Sequence, residues 1–226
     1  MTKISTVVLV HGAWADGSSW AKVIPLLDGE GMAVTAVQLP LSSFESDVAA
    51  VRRAIALADG DIVLVGHSYA GAVIGEAGND PKVKRLVYID AFAPDDGESA
   101  GALFAKFEAA PLGAELRPDA EGFLKLTREG VLALFAQDLS DDEKAVVYAT
   151  QGPINASALG GVLTKAAWRD RPTFYLIGDQ DHAIPRAEQE KMAARMNATT
   201  DHVDASHLPM LSQPQAVASF ILKAAA

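Results

Sequence analysis

The chain contains no cysteine, so disulfides, thiol nucleophiles and Cys-based metal sites are all excluded. It is also poor in positive charge: 19 Lys and Arg face 29 Asp and Glu, for a formal net charge of −10. Nucleic acids and anionic membrane surfaces are bound through clustered cations, so neither is an expected partner. No apolar run reaches the roughly 18–20 residues of a membrane span, and no signal-peptide core precedes the first strand-like segment. These absences lead to the expectation of a soluble, cytoplasmic protein. No lysine stands where a phosphate loop needs one, and no His-x-x-x-His pair is present, so no metal and no cofactor is expected.

What is present is globular. Half of the 226 residues are hydrophobic, enough for one domain of ordinary size to bury a core. Short aliphatic and β-branched runs cover 6–10, 33–38, 61–65, 85–90, 173–178 and 200–203. Their unbroken apolar character predicts strands buried on both faces, as in a parallel sheet. Helical patterns separate them at 19–29, 46–58, 69–78, 185–196 and 213–224. The alternation of strand and helix indicates an α/β class. It is interrupted once: 91–170 holds no strong strand and has helix-like pieces at 121–137 and 140–149. That stretch is too apolar for a tether and is expected to be a helical cap inserted into a core formed by 1–90 and 171–226.

The strongest chemical signal is Gly66-His67-Ser68-Tyr69-Ala70-Gly71, directly after the third strand and before a helix. A nucleophile in a sharp strand-to-helix turn needs small residues two positions either side, here Gly66 and Ala70, the latter replacing the commoner glycine. The following helix directs its N-terminal amides toward Ser68, where negative charge would develop. A hydroxyl needs a base. His207 lies just past the last strand, at the sheet edge that carries Ser68, whereas its competitor His202 falls inside the strand. The base needs a carboxylate, and Asp181 lies beyond the end of the 173–178 strand. Asp179 reads as a turn residue, and Asp90, at the end of the fourth strand, is the alternative acid. The amides of Ala13 and Tyr69 are the expected oxyanion donors, with Gly12 turning the first loop and His11 bracing it. Trp14, Phe92 and Trp168 are the expected substrate contacts, with Phe104, Phe107, Leu132 and Phe135 as further candidate linings.

Taken together, Val10-His11-Gly12-Ala13-Trp14 with Trp20, the Ser68 turn, Gly178-Asp179-Gln180-Asp181 with Pro185, and Ser206-His207-Leu208-Pro209 resemble the α/β-hydrolase superfamily. The resemblance is strongest to its small esterase and hydroxynitrile-lyase branch, which includes plant methylesterases and their bacterial relatives. It implies a six-stranded parallel sheet, a helical cap and a Ser68–His207–Asp181 triad in the order of that fold. The lyases of that branch carry Thr after the first-loop His and Lys after the catalytic His. This chain has Gly12 and Leu208 there, which favours hydrolysis. The expected activity is carboxylesterase action on small uncharged esters or lactones. The rival expectations are a small-molecule receptor with a little-used triad, and C–C cleavage or acyl transfer at the same site. A monomer or homodimer is expected.

Overall fold

A computed structural model describes residues 4–107 and 111–226; Met1, Thr2 and Lys3, ahead of the first strand-like segment, lie outside it. The chain runs through β1 (Thr6–Val10), α1 (Ile24–Gly29), β2 (Ala33–Val37), α2 (Phe44–Leu57), β3 (Ile62–His67), α3 (Ala70–Ala77) and β4 (Val83–Ile89). It then leaves the sheet for an insert containing α4 (Ala100–Phe104), β5 (Leu116–Pro118), β6 (Phe123–Leu126), α5 (Arg128–Gly130), a π-helical turn (Val131–Phe135), α6 (Asp141–Thr150), β7 (Ile154–Asn155) and α7 (Ala156–Leu159). It returns as β8 (Thr173–Gly178), α8 (Arg186–Arg195), β9 (Thr199–Val203), α9 (Pro209–Ser212) and α10 (Pro214–Ala225).

β2-β1-β3-β4-β8-β9 form one six-stranded sheet, and every pairing in it is parallel. β1 and β3 are buried along their whole length, as their unbroken Val, Leu and Ile runs require. Helices α2 and α3 pack on each other and on the sheet, and α1 and α10 form a second such pair. The expectation of burial on both faces fails at the two edges. β2 is largely exposed or half-exposed, and β9 (Thr199, Thr200, Asp201, His202) buries only Val203. Each edge strand has a neighbour on one side only, so half of its surroundings is solvent.

Because β1 lies between β2 and β3, the chain winds outward to β2 and then crosses back past β1 to β3. The loops after β1 and β3 therefore part at the carboxyl edge and leave a crevice, the place where open parallel sheets hold ligands.

The insert is not wholly helical, and of the helix expected over 121–137 only 128–135 is helical, as α5 and the π-helical turn. Phe123–Leu126 pairs antiparallel with β5 and with β7 as a three-stranded sheet. The cause is local. Gly122 has φ +81°, in the left-handed region that turns the chain, and the Thr127 hydroxyl caps a new start by accepting from the Gly130 amide. The helix expected at 140–149 is present as α6.

Helix α2 begins with a reciprocal cap, in which the Ser43 hydroxyl accepts from the Ser46 amide and Ser46 Oγ accepts from the Ser43 amide. Ser43→Ala is expected to lower unfolding stability by about 1 kcal/mol in urea titrations, without changing the helical circular dichroism of the native state.

Candidate active site

β3 ends at His67 and α3 starts at Ala70, so Ser68 and Tyr69 alone make the turn. Ser68 takes φ +55°, a left-handed conformation that costs a non-glycine residue energy and is held by its surroundings. Its amide donates to Ile89 O at 3.2 Å, and its carbonyl accepts from Gly71 at 3.0 Å and Phe92 at 3.1 Å. The turn has no room for larger neighbours. A methyl on Gly66 would lie 2.8 Å from Ala70 O, and one on Gly12 would lie 2.6 Å from Ser68 Cβ.

The three residues singled out for acid–base chemistry converge here. His207 Nε2 stands 2.8 Å from Ser68 Oγ, and His207 Nδ1 stands 2.7 Å from Asp181 Oδ2. All three are buried, at 4 % (Ser68), 1 % (His207) and 5 % (Asp181) exposure, so their contacts are little screened by water. Asp181 accepts four hydrogen bonds in all: Ala183 N (2.7 Å) and Ile184 N (3.0 Å) on Oδ1, and Gln189 Nε2 (2.8 Å) and the imidazole on Oδ2. With Oδ2 accepting, the proton sits on Nδ1, which leaves Nε2 free to accept from the serine hydroxyl. That arrangement can draw the proton from a hydroxyl as it attacks an electrophile.

Asp90, the alternative acid, belongs to the same cluster but does not hold the imidazole. One carboxylate oxygen each from Asp90 and Asp181 and a ring nitrogen of His207 lie within 4.8 Å of one another. Asp90 Oδ1 accepts from the Gly178 amide, while its Oδ2 is buried with no partner among the described residues. Burial, and then the Asp181 carboxylate beside it, push Asp90 well above the usual carboxylate range. Three buried groups of this kind are a possible metal set by type. Here, however, Asp181 and His207 already spend their ligand atoms on each other and on N–H donors, so the cluster is a hydrogen-bond network. Asp179 faces away, paired with His202 and Arg186 at 2.9 Å each.

Ala13 and Tyr69 line the same cavity as Ser68 and His207. Neither of their amides donates to an acceptor among the described residues, so both N–H groups remain available to an incoming oxygen. His11 braces their loop as expected. Its Nδ1 donates to Gly12 O at 2.8 Å, its Nε2 accepts from Leu39 N at 2.9 Å, and burial lowers its pKa.

The cavity is small, about 70 Å³, and no carboxylate, ammonium or guanidinium lines it among the described residues. Trp14, Phe92 and Phe104 form part of its wall, as expected; Phe107 backs Phe92 in a stacked pair. Trp168 does not belong to the site. Its indole donates to Pro94 O at 2.9 Å and lies between Arg169 and Arg195, because the short 3-10 turn Ala167–Arg169 docks it on the β4 exit loop. Leu132 and Phe135 are also absent from the lining, although the Phe135 ring packs against the His207 imidazole at 5.0 Å.

Several supporting residues escaped the sequence reading. Asp47 is fully buried and accepts from the Tyr69 hydroxyl (2.9 Å) and the Leu41 amide (2.8 Å), tying α2 to the residue after Ser68. Its signal was a carboxylate on the apolar stripe Phe44, Val48, Val51, Ile55. His67 Nε2 donates to the His207 carbonyl at 2.7 Å; burial, and then His207 itself, keep its pKa well below the ordinary value. Gln189 follows Pro185 by one helical turn, with nothing in the sequence to mark it.

Comparison with known proteins agrees with this fold. A sequence profile described as "Alpha/beta hydrolase family" matches residues 7–220. The chain is similar to alpha/beta hydrolase nvfD of Aspergillus novofumigatus, at 30 % identity over 97 % of this chain and 96 % of that one. It is similar to methylesterase 8 of Arabidopsis thaliana, at 26 % identity over 95 % of this chain and 87 % of that one. Among solved structures, a pyrethroid hydrolase from Sphingobium faniae superposes with a TM-score of 0.85 at 23 % identity, covering 98 % of this chain and 97 % of that one.

A carboxyl whose pKa rises on folding binds its proton more tightly in the native state, so stability falls as pH climbs from the unfolded range toward the folded one. Asp90→Asn removes that loss with little change of shape. The variant is expected to melt at the same temperature as wild type near pH 4, about the ordinary carboxylate pKa, and a few degrees higher at neutral pH. Thermal denaturation across pH measures the difference; an equal melting temperature at both pH values would mean that Asp90 is not held protonated.

Proposed function

The chain belongs to the alpha/beta hydrolase family, and from that premise we propose that it is a serine carboxylesterase acting on small, uncharged esters or lactones. The observation that carries the proposal is the unbroken contact series Ser68 Oγ, His207 Nε2, His207 Nδ1, Asp181 Oδ2, at 2.8 and 2.7 Å. In this reading Ser68 attacks the ester carbonyl while His207 takes its proton, and Asp181 holds the resulting imidazolium. The carbonyl oxygen becomes an anion at the amides of Ala13 and Tyr69. His207 then returns the proton to the leaving alcohol, and water releases the acyl group by the same path.

The substrate class follows from the wall of the cavity. A charged acyl or alcohol group would lose its hydration there without meeting a counter-charge among the described lining residues. Cyanohydrin cleavage has little support. Position 12 is glycine, position 208 is a buried leucine, and the lining offers no ammonium to receive a leaving cyanide. The names of relatives do not decide between the two: methylesterase 8 is named for ester hydrolysis, and another relative from Arabidopsis thaliana, 27 % identical over 92 % of each chain, is named alpha-hydroxynitrile lyase.

With p-nitrophenyl acetate, Ser68→Ala is expected to lose on the order of 10³-fold or more in kcat/KM, and a fluorophosphonate probe to label wild type only. Equal turnover by the two proteins would end the proposal. Phe104→Ala deepens the apolar wall. The ratio of kcat/KM for the hexanoate ester over the acetate is then expected to rise about tenfold, the scale of a single methylene in an apolar pocket.

A further inference from the structure

The insert grips the loops of the candidate active site at several points. Trp14 Nε1, on the loop after β1, donates to Leu124 O on β6 at 2.9 Å. Gln137 Nε2 donates to Gln180 O, the residue before Asp181, at 2.6 Å. Asp138 takes both polar groups of Ser206, the residue before His207: Oδ2 accepts from the Ser206 amide at 2.9 Å, and Oδ1 accepts from its hydroxyl. Phe135, three residues earlier, lays its ring against the imidazole at 5.0 Å. Four of these contacts come from Phe135, Gln137 and Asp138, at the last residue of the π-helical turn and just beyond it, a widened turn of a kind often found at functional sites.

Ser206 is completely buried, so its amide and hydroxyl need partners inside the protein. Asp138, on the outside, serves both with one carboxylate. On the other side of the base, His67 holds the His207 carbonyl at 2.7 Å. The backbone that presents the imidazole is thereby fixed before and after the ring. Without Asp138 the buried Ser206 amide loses its acceptor and the hydroxyl keeps only the Phe135 carbonyl, at 3.5 Å, so the loop carrying His207 loses most of its hold on the insert.

We propose that Asp138 is a positioning residue, which fixes the His207 loop through Ser206 and so keeps the imidazole in reach of both Ser68 and Asp181. The proposal rests on the serine-esterase reading above. It makes the insert part of the machinery that aligns the base, in addition to being a wall of the cavity. Asp138 lines no part of that cavity, so its loss changes alignment and leaves substrate contacts alone.

The test compares wild type, Ser68→Ala, Asp138→Ala, Asp138→Asn and Ser206→Ala, using p-nitrophenyl acetate turnover and the rate of fluorophosphonate labelling. Asp138→Ala is expected to lower kcat on the order of 10- to 100-fold with KM held within about twofold, the cost of a small misplacement of a catalytic group. Labelling of Ser68 slows in parallel. Asp138→Asn, whose amide group can accept from the Ser206 amide and donate to its hydroxyl, recovers most of the rate. Ser206→Ala lowers kcat in the same sense, and combining it with Asp138→Ala costs less than the sum of the two. Should Asp138→Ala fail to fold, Asp138→Asn and Ser206→Ala decide: wild-type kcat in Ser206→Ala overturns the proposal. So does wild-type kcat in a folded Asp138→Ala, or a change confined to KM. If instead Ser68→Ala turns over as fast as wild type, the esterase reading itself is wrong. If Ser68→Ala is inert while Asp138→Ala matches wild type, only the positioning role is lost.

Discussion

A hydrogen bond of 2.8 Å between His207 Nε2 and Ser68 Oγ joins residues 139 positions apart, and much of the structure is arranged so that these two atoms can meet. Parallel strands deliver both residues to one edge, because β3 and β9 end on the same side of the sheet. The crossing at β1 opens the crevice in which they face each other. The turn at Ser68 is strained, and its backbone is braced by hydrogen bonds from Gly71 and Phe92 and to Ile89. Strain at one residue is sustained by the many packed contacts around it, here a helix and a sheet core with almost no solvent exposure.

Burial of so many ionisable groups has to be offset, and the molecule does so unevenly. Asp181 is surrounded by N–H donors, whereas Asp90 has one amide and an unpartnered oxygen. Two carboxylates side by side in a dry cluster repel, and the proton goes to the one with less support. His11 and His67 carry lowered pKa values from burial and act as neutral struts, each with a carbonyl on one ring nitrogen. Burial, and then the facing Asp47, push the Tyr69 hydroxyl strongly upward, so it stays a donor to that carboxylate.

Much of this was legible in the residues. The six strands appear within one or two positions of their expected bounds, because unbroken Val, Ile and Leu runs have few other uses in a chain with this alternation. The Ser68 turn was legible because its geometry permits only small residues at fixed offsets. Contacts set by packing were harder to read. Trp168 carries nothing in its local sequence to say that it docks between two arginines. The strand at Phe123–Leu126 is short, and an apolar stretch of that length is compatible with either period. Edge position could not be seen in β2 and β9, since order in the sheet is decided by crossovers far away in sequence. Asp138 and Ser206 were invisible as a pair for the same reason: 68 residues separate them, and each alone is an ordinary polar residue.

The ties from Phe135, Gln137 and Asp138 to the loops carrying Asp181 and His207 bear on how such proteins diversify. An insert anchored in this way is not an interchangeable module. Grafting another family member's insert onto this sheet would transplant a wall and also remove the footing of the imidazole, unless partners for Ser206 and the Gln180 carbonyl travelled with the graft. New specificities are more readily reached by changing side chains such as Phe92 and Phe104 in place, and the short bridge at 135–138 would be the stretch where drift is least tolerated.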